Sequence, residues 1–156
     1  MKKKIFTFFL FLFLSSCGYE ATYSLKNRIE YTFSIGELDL TGDRQINLKI
    51  KQILSPYSNT KIKNEKIFTL KIFSSSEKIT TAKDTSGDAT KFKNEIIMNV
   101  QVFLNDEYKS NFVIKENFMY DNGSNTFELK TYENQIKNNL TETAVDKILF
   151  KLANNL

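Results

Sequence analysis

The sequence predicts an α+β domain in which two helices pack on one face of a mainly antiparallel four-stranded sheet, in the order βαβββα. Three observations lead there. Apolar residues alternate with polar ones in several separate stretches, the longest from Ile96 to Leu104, which is the period of a strand with one buried face. Two other stretches, Ile46 to Leu54 and Leu129 to Leu152, repeat apolar residues every three or four positions, the period of an amphipathic helix. The longer helical stripe must lie on something, and a sheet with one buried face is the only partner large enough in this chain.

Taken in order, Ile29, Tyr31, Phe33 and Ile35 alternate with polar or small residues and mark the first strand. Thr41-Gly42-Asp43 offers an N-cap, after which Ile46, Ile50, Ile53 and Leu54 describe a short helix that Pro56 ends near Ser55. Tyr57 to Glu65 is polar and reads as a loop. Lys61, Lys63 and Lys66 suit a charged loop at an edge strand, where lysine discourages unwanted pairing. Phe68, Leu70 and Ile72 give the second strand, running into Ser74-Ser75-Ser76.

The polar stretch from Ile79 to Asp88, with Lys83 to Asp88 at its tip, reads as a loop that either joins two edge extensions of the sheet or holds an extra short strand. Ile96, Met98, Val100, Val102 and Leu104 form the third strand. Asn105-Asp106-Glu107 supplies a tight turn, and Phe112, Ile114 and Phe118 continue the hairpin. Asp121-Asn122-Gly123-Ser124 breaks that strand. Asn125 or Thr126 then caps a helix whose stripe is Leu129, Tyr132, Ile136, Leu140, Ala144, Ile148 and Leu152. The other sheet face carries Ile97 and Phe103 among Asn99 and Gln101, a mixed surface for further packing or a partner.

The start of the chain has the three parts of an export signal. Lys2, Lys3 and Lys4 precede an apolar run from Ile5 to Leu14, interrupted only by Thr7, and small residues follow. A bilayer-spanning helix needs ~20 apolar residues, so residues 1–16 are expected to be a cleaved signal. Leu14-Ser15-Ser16-Cys17 resembles the bacterial lipobox, which makes Cys17, the single cysteine, the expected site of lipid attachment. A lone thiol in an oxidising compartment is otherwise a liability. Gly18, rather than Asp, follows it, as in bacterial lipoproteins sent to the outer membrane. Two or three acyl chains, at ~0.8 kcal/mol per buried methylene, hold a protein to a membrane surface.

Residues 17–28 read as a lipidated tether and 29–156 as a single domain, a length that supports one core. Three of the 22 basic residues leave with the signal, so 19 remain against 18 acidic ones. A near-neutral exported chain is not expected to bind nucleic acid. With no His and one Cys, common zinc and copper sites and Ser-His-Asp or Cys-His nucleophiles cannot be assembled. No carboxylate pair is legible from spacing, so the chain is expected not to be an enzyme and to carry no cofactor or metal.

Three stretches resemble the LptE family, the small lipoprotein subunit of the outer-membrane lipopolysaccharide translocon. Cys17-Gly18-Tyr19 is similar to the family's start. Thr81 to Leu104 is similar to its central pattern of a small turn, an alanine, an aromatic and a long alternating strand. Phe118 to Leu152 is similar to its ending, an aromatic and Asp-Asn before a C-terminal helix closing on an Ile-Leu-x-Lys-Leu type of run. Glu20-Ala21-Thr22-Tyr23 departs from the basic residue and Leu or Pro common there, and the long tail of some members is missing.

The resemblance implies a lipid-anchored protein on the periplasmic side of the outer membrane. Such a protein sits inside the β-barrel LptD as a plug, helps it assemble and contacts lipopolysaccharide. A barrel of that type has a polar lumen, which suits a surface rich in Asn, Thr, Ser and Lys. Lipopolysaccharide carries phosphates that lysine can bind. Lys83, Lys91 and Lys93, with Lys137 on the second helix, lie where the family places basic residues. Taken singly, each reads first as a solvated surface lysine, and it is their position together that points to a phosphate contact. The rival function is an independent periplasm-facing binding or structural lipoprotein that uses the mixed sheet face.

Overall fold

A computed structural model describes residues 33–58 and 66–155, all within one compact unit, Tyr31–Leu156. Its elements are β1 (Phe33–Gly42), α1 (Arg44–Leu54), a single 3-10 turn (Ser55–Tyr57), β2 (Lys66–Lys83), β3 (Ala89–Leu104), β4 (Glu107–Asp121) and α2 (Thr126–Asn155). The four strands lie in sequence order. β1 runs parallel to β2 across the α1 crossover, while β2–β3 and β3–β4 are antiparallel, so the predicted βαβββα architecture is the observed one.

Both helices cover the same sheet face. Phe68, Leu70 and Ile72 of β2 and Ile96, Met98, Val100 and Val102 of β3 are buried there against Ile46, Ile50 and Leu54 of α1 and Ala144, Val145, Ile148, Leu149 and Leu152 of α2. At ~25 cal/mol per Å2 of apolar surface, this layer is the main source of stability. Asn105 and Asp106 both have positive φ, 51° and 66°, the pair that a two-residue hairpin turn with the right twist needs. Asn125 caps α2, its Oδ1 accepting from the amides of Phe127 and Glu128.

Three expectations need correction. Ile29 and Tyr31 lie outside the described residues, and β1 runs on to Gly42 rather than stopping near Ile35. Its pairing with β2 skips Gly36, which moves the inward phase from Phe33 and Ile35 to Leu38 and Leu40 and hides the strand from a search for strict alternation. Gly is suited to that skip, since a Cβ at position 36 would stand 2.8 Å from Ile67 Cγ2.

The polar stretch from Ile79 is strand as far as Lys83, and β3 begins at Ala89. Only Asp84 to Asp88 turns, with Asp84 Oδ1 accepting from the amides of Ser86 and Asp88. Backbone pairing along the ribbon stands in for the apolar alternation that the sequence lacks there. Lys66, finally, is not on an edge: it pairs with Phe33 of β1, while Lys61 and Lys63 lie outside the described residues.

β1 leaves the sheet at a tightly constrained junction. Gly42 has φ +97°, and a Cβ there would fall 1.9 Å from the Ser74 carbonyl oxygen. The next amide, Asp43, donates to that oxygen at 2.9 Å. The Asp43 carboxylate then caps α1, with Oδ1 accepting from the amides of Gln45 and Ile46, while Oδ2 accepts from Ser76 Oγ at 2.6 Å and Lys137 Nζ at 3.1 Å. Buried Ser74 donates to Asn47 Oδ1 at 2.7 Å. Burial alone would raise the Asp43 pKa, but the Ser76, Ile46 and Lys137 contacts outweigh it and hold the pKa at about 2 instead of 3.8.

The pKa shift fixes a pH dependence. A carboxylate with a depressed folded-state pKa stabilises the fold at pH above its unfolded value of 3.8 and loses that contribution as pH falls towards about 2. Asp43→Asn should therefore cost about 2 kcal/mol at neutral pH, with the deficit against wild type narrowing below pH ~4, as read from urea midpoints across a pH series. Gly42→Ala should cost more than about 2 kcal/mol, because φ and the Ser74 carbonyl both oppose it. Gly87→Ala separates those two causes: it shares the positive φ but meets nothing within 4 Å, and should cost only about 1 kcal/mol.

Candidate functional site

The basic candidates lie at the end of the sheet remote from Phe33. Lys83 closes β2 and pairs with Ala89. Lys91 and Lys93 stand two apart on β3 and so share a face, the one turned away from the helices. Lys91 Nζ lies 3.2 Å from Oδ1 of Asp121, its partner on β4, and both side chains are mostly exposed. Lys93 Nζ lies 3.4 Å from Glu95 Oε2, and both are about three-quarters covered. Lys83, with no ion pair of its own among the described residues, and Lys91, in an exposed and weakly held pair, are the cations most open to an incoming anion.

Lys137 does not join them. It sits on α2, in the helix layer, with its ammonium held by Asp43. The four lysines therefore divide into a tip group and a structural one. Cys17 lies outside the described residues, as do the expected signal and tether. No helix among the described residues is long and apolar enough to cross a membrane.

A second polar constellation lies where α2 crosses the sheet. Glu133 Oε1 accepts from Lys78 Nζ at 2.6 Å and from the Tyr120 hydroxyl at 2.8 Å, and Tyr120 also reaches Asn94 Oδ1 at 3.3 Å. The Lys78 ammonium stands 3.7 Å over the Phe92 ring. Phe92, Tyr120 and Tyr132 form an aromatic row. Burial would raise the Glu133 pKa, but Lys78 and Tyr120 lower it below the usual carboxylate value. Burial, and then the Glu133 charge, push the Tyr120 phenol up, so Tyr120 stays protonated as a donor.

These groups edge a shallow cleft of ≈ 150 Å3 whose lining includes Lys78, Lys130 and Lys137 against Glu77, Glu95 and Glu133. Its volume is well below the ~300 Å3 at which small-molecule pockets begin, and its charges neutralise one another. Among the described residues no group of three His, Cys, Asp or Glu side chains could hold a metal ion. The arrangement locks α2 to the β2–β3 ribbon. Sequence reading missed it because Glu133 meets Lys78 across 55 residues, and no local pattern announces such a contact.

No protein-family model matches the chain, and no curated protein does. Solved structures do match. Rare lipoprotein B from Shewanella oneidensis is similar at TM-score 0.55 and 17% identity, over 75% of this chain and 93% of that one. A minor lipoprotein from Acinetobacter baumannii gives 0.56 and 9% over 79% and 94%. Lipoprotein B from Nitrosomonas europaea gives 0.56 and 14% over 81% and 88%. The described chain thus has the fold of the rare lipoprotein B and minor lipoproteins, which is the fold of LptE-like lipoproteins.

Proposed function

We propose that the chain is an LptE-type lipoprotein, acylated at Cys17 and held on the periplasmic side of the outer membrane. There it plugs and helps assemble an LptD-type β-barrel and assists lipopolysaccharide on its way to the outer leaflet. The observation that carries this reading is the lipoprotein fold, matched over three-quarters or more of the chain and joined to a lipobox-like Leu14-Ser15-Ser16-Cys17. The uncovered sheet face supports it. Thr69, Lys71, Asn99, Gln101 and Asn111 lie there among scattered apolar residues, a surface that can hydrogen-bond to a polar lumen. The role is one of binding and assembly, without catalysis or a cofactor other than acyl chains.

Within that role, Lys83, Lys91 and Lys93 are the phosphate contacts, and Lys137 acts through Asp43 to keep the helices in place. Lipopolysaccharide phosphates would displace Asp121 from Lys91 at small cost, since an exposed ion pair contributes ~0–1 kcal/mol.

A mild-detergent pull-down of the tagged lipoprotein from its own outer membrane should recover a large β-barrel in equal amounts. Recovery of the lipoprotein alone would favour an independent binding or structural lipoprotein. Changing Lys83, Lys91 and Lys93 together to Ser should weaken lipopolysaccharide binding about tenfold or more and make it less salt-dependent, while Lys137→Ser should lower the thermal midpoint with little effect on binding. Undiminished binding by the triple variant would remove the tip from the site.

A further inference from the structure

Among the described residues nothing pairs with the outer edge of β4, a strand of 15 residues. A free edge presents a row of unsatisfied amides and carbonyls, which proteins usually blunt with charges, prolines or bulges. Two other edges are free among the described residues, and both are treated that way: the outer edge of β1, ten residues long, carries Glu37, Asp39 and the irregularity at Gly36, and the far half of β2 is blunted likewise. Beyond Ser74, where β1 has left, β2 carries Glu77, Lys78 and Lys83, and its register breaks at Thr80/Ala82 and again at Ala82/Lys83. β4 is charged too, with Lys109, Lys115, Glu116 and Asp121, so what sets it apart is regularity: it has a single break, opposite Val102/Phe103, and pairs evenly from Ser110 to Asp121. It also carries more exposed large apolar side chains than any other described element: Tyr108 at 57%, Val113 at 53%, Phe118 at 45% and Met119 at 63%.

We propose that this edge pairs antiparallel with the same edge of a second copy, about a two-fold axis at Glu116, to make one continuous eight-stranded sheet. Residues opposite one another must lie on the same face, so the axis falls on a residue. At Glu116 the register sets Val113 against the partner's Met119, Ile114 against the partner's Phe118 and Phe112 against the partner's Tyr120, each contact made twice. Cross-strand apolar pairs of this kind stabilise a sheet.

Neighbouring registers do not match in this way. An axis at Lys115 keeps one apolar pair, Phe112 against Phe118, but opposes the lysine to itself and sets Val113 and Met119 against asparagines; one at Asn117 keeps Ile114 against Tyr120 but sets Glu116 against Phe118 and Lys115 against Met119. The like charges that meet at Glu116 are compensated, because each Glu116 takes the Lys147 ammonium of its own α2. The pairing does not rest on the barrel reading. It is a state of the free protein, and anchoring both copies to one membrane would favour it by raising their effective concentration.

The test uses the full-length lipoprotein in mild detergent, spin-labelled singly at Asn111, Lys115, Asn117 or Asp121 on the exposed face. Positions symmetric about Glu116 should give matching distances between copies, short for Lys115 and Asn117 and longer by roughly 25 Å for Asn111 and Asp121. Met119→Lys should leave the circular dichroism unchanged and weaken dimerisation at least tenfold by sedimentation. A chain that stays monomeric at about 0.1 mM, distances that converge elsewhere, or a β4 edge protected only by a different co-purifying polypeptide would each overturn the proposal.

Discussion

The Asp43 carboxylate is the contact on which the arrangement of this domain depends. It takes hydrogen bonds from the first turn of α1, from Ser76 on β2 and from Lys137 on α2, so three elements distant in sequence are fixed by two oxygens. The charge must be present to satisfy four donors at once, and its low pKa measures how strongly they favour it. Gly42 makes the meeting possible. Its positive φ turns the chain out of the sheet, while the absence of a Cβ lets the backbone pass against the Ser74 carbonyl.

That junction also divides the sheet into two regions with different character. Up to Ser74, four strands are present and the inward residues are apolar and buried. Beyond it three strands continue, covered by the first turns of α2 through Glu133, Tyr120, Lys78 and Phe92 rather than through a hydrocarbon layer. Hydrogen bonds and partly exposed ion pairs contribute less per contact than apolar burial, so local opening is expected to concentrate in the second region. The tip lysines belong to that more easily opened half, whose movements leave the core undisturbed.

Much of the fold was legible because its core obeys simple periods. Every second residue from Ile96 to Leu104 is apolar, and Ile136, Ala144, Ile148 and Leu152 return at helical spacing, so strand and helix could be assigned from residue order alone. The misses have physical causes. Gly36 shifts the phase of β1, and the far end of β2 is held by ladder bonds and polar side chains that leave no apolar signature. Tyr132 was placed on the buried stripe, yet it stands 43% exposed, because the first turns of α2 reach over the less covered half of the sheet. The candidate lysines were legible as positions but not as partners: Lys137 and Asp43 are 94 residues apart, and nothing local in either neighbourhood names the other.

β1 begins, β2 begins and the β3–β4 hairpin turns at one end of the sheet, whereas the Asp84–Asp88 turn stands at the other. With 16 residues in β3 and ~3.3 Å of rise for each, those ends are roughly 50 Å apart. The domain is a ruler longer than the ~30 Å hydrocarbon layer of a bilayer. Whatever grips the protein where β1 starts, Lys83 and Lys91 stand a full membrane thickness away from that grip.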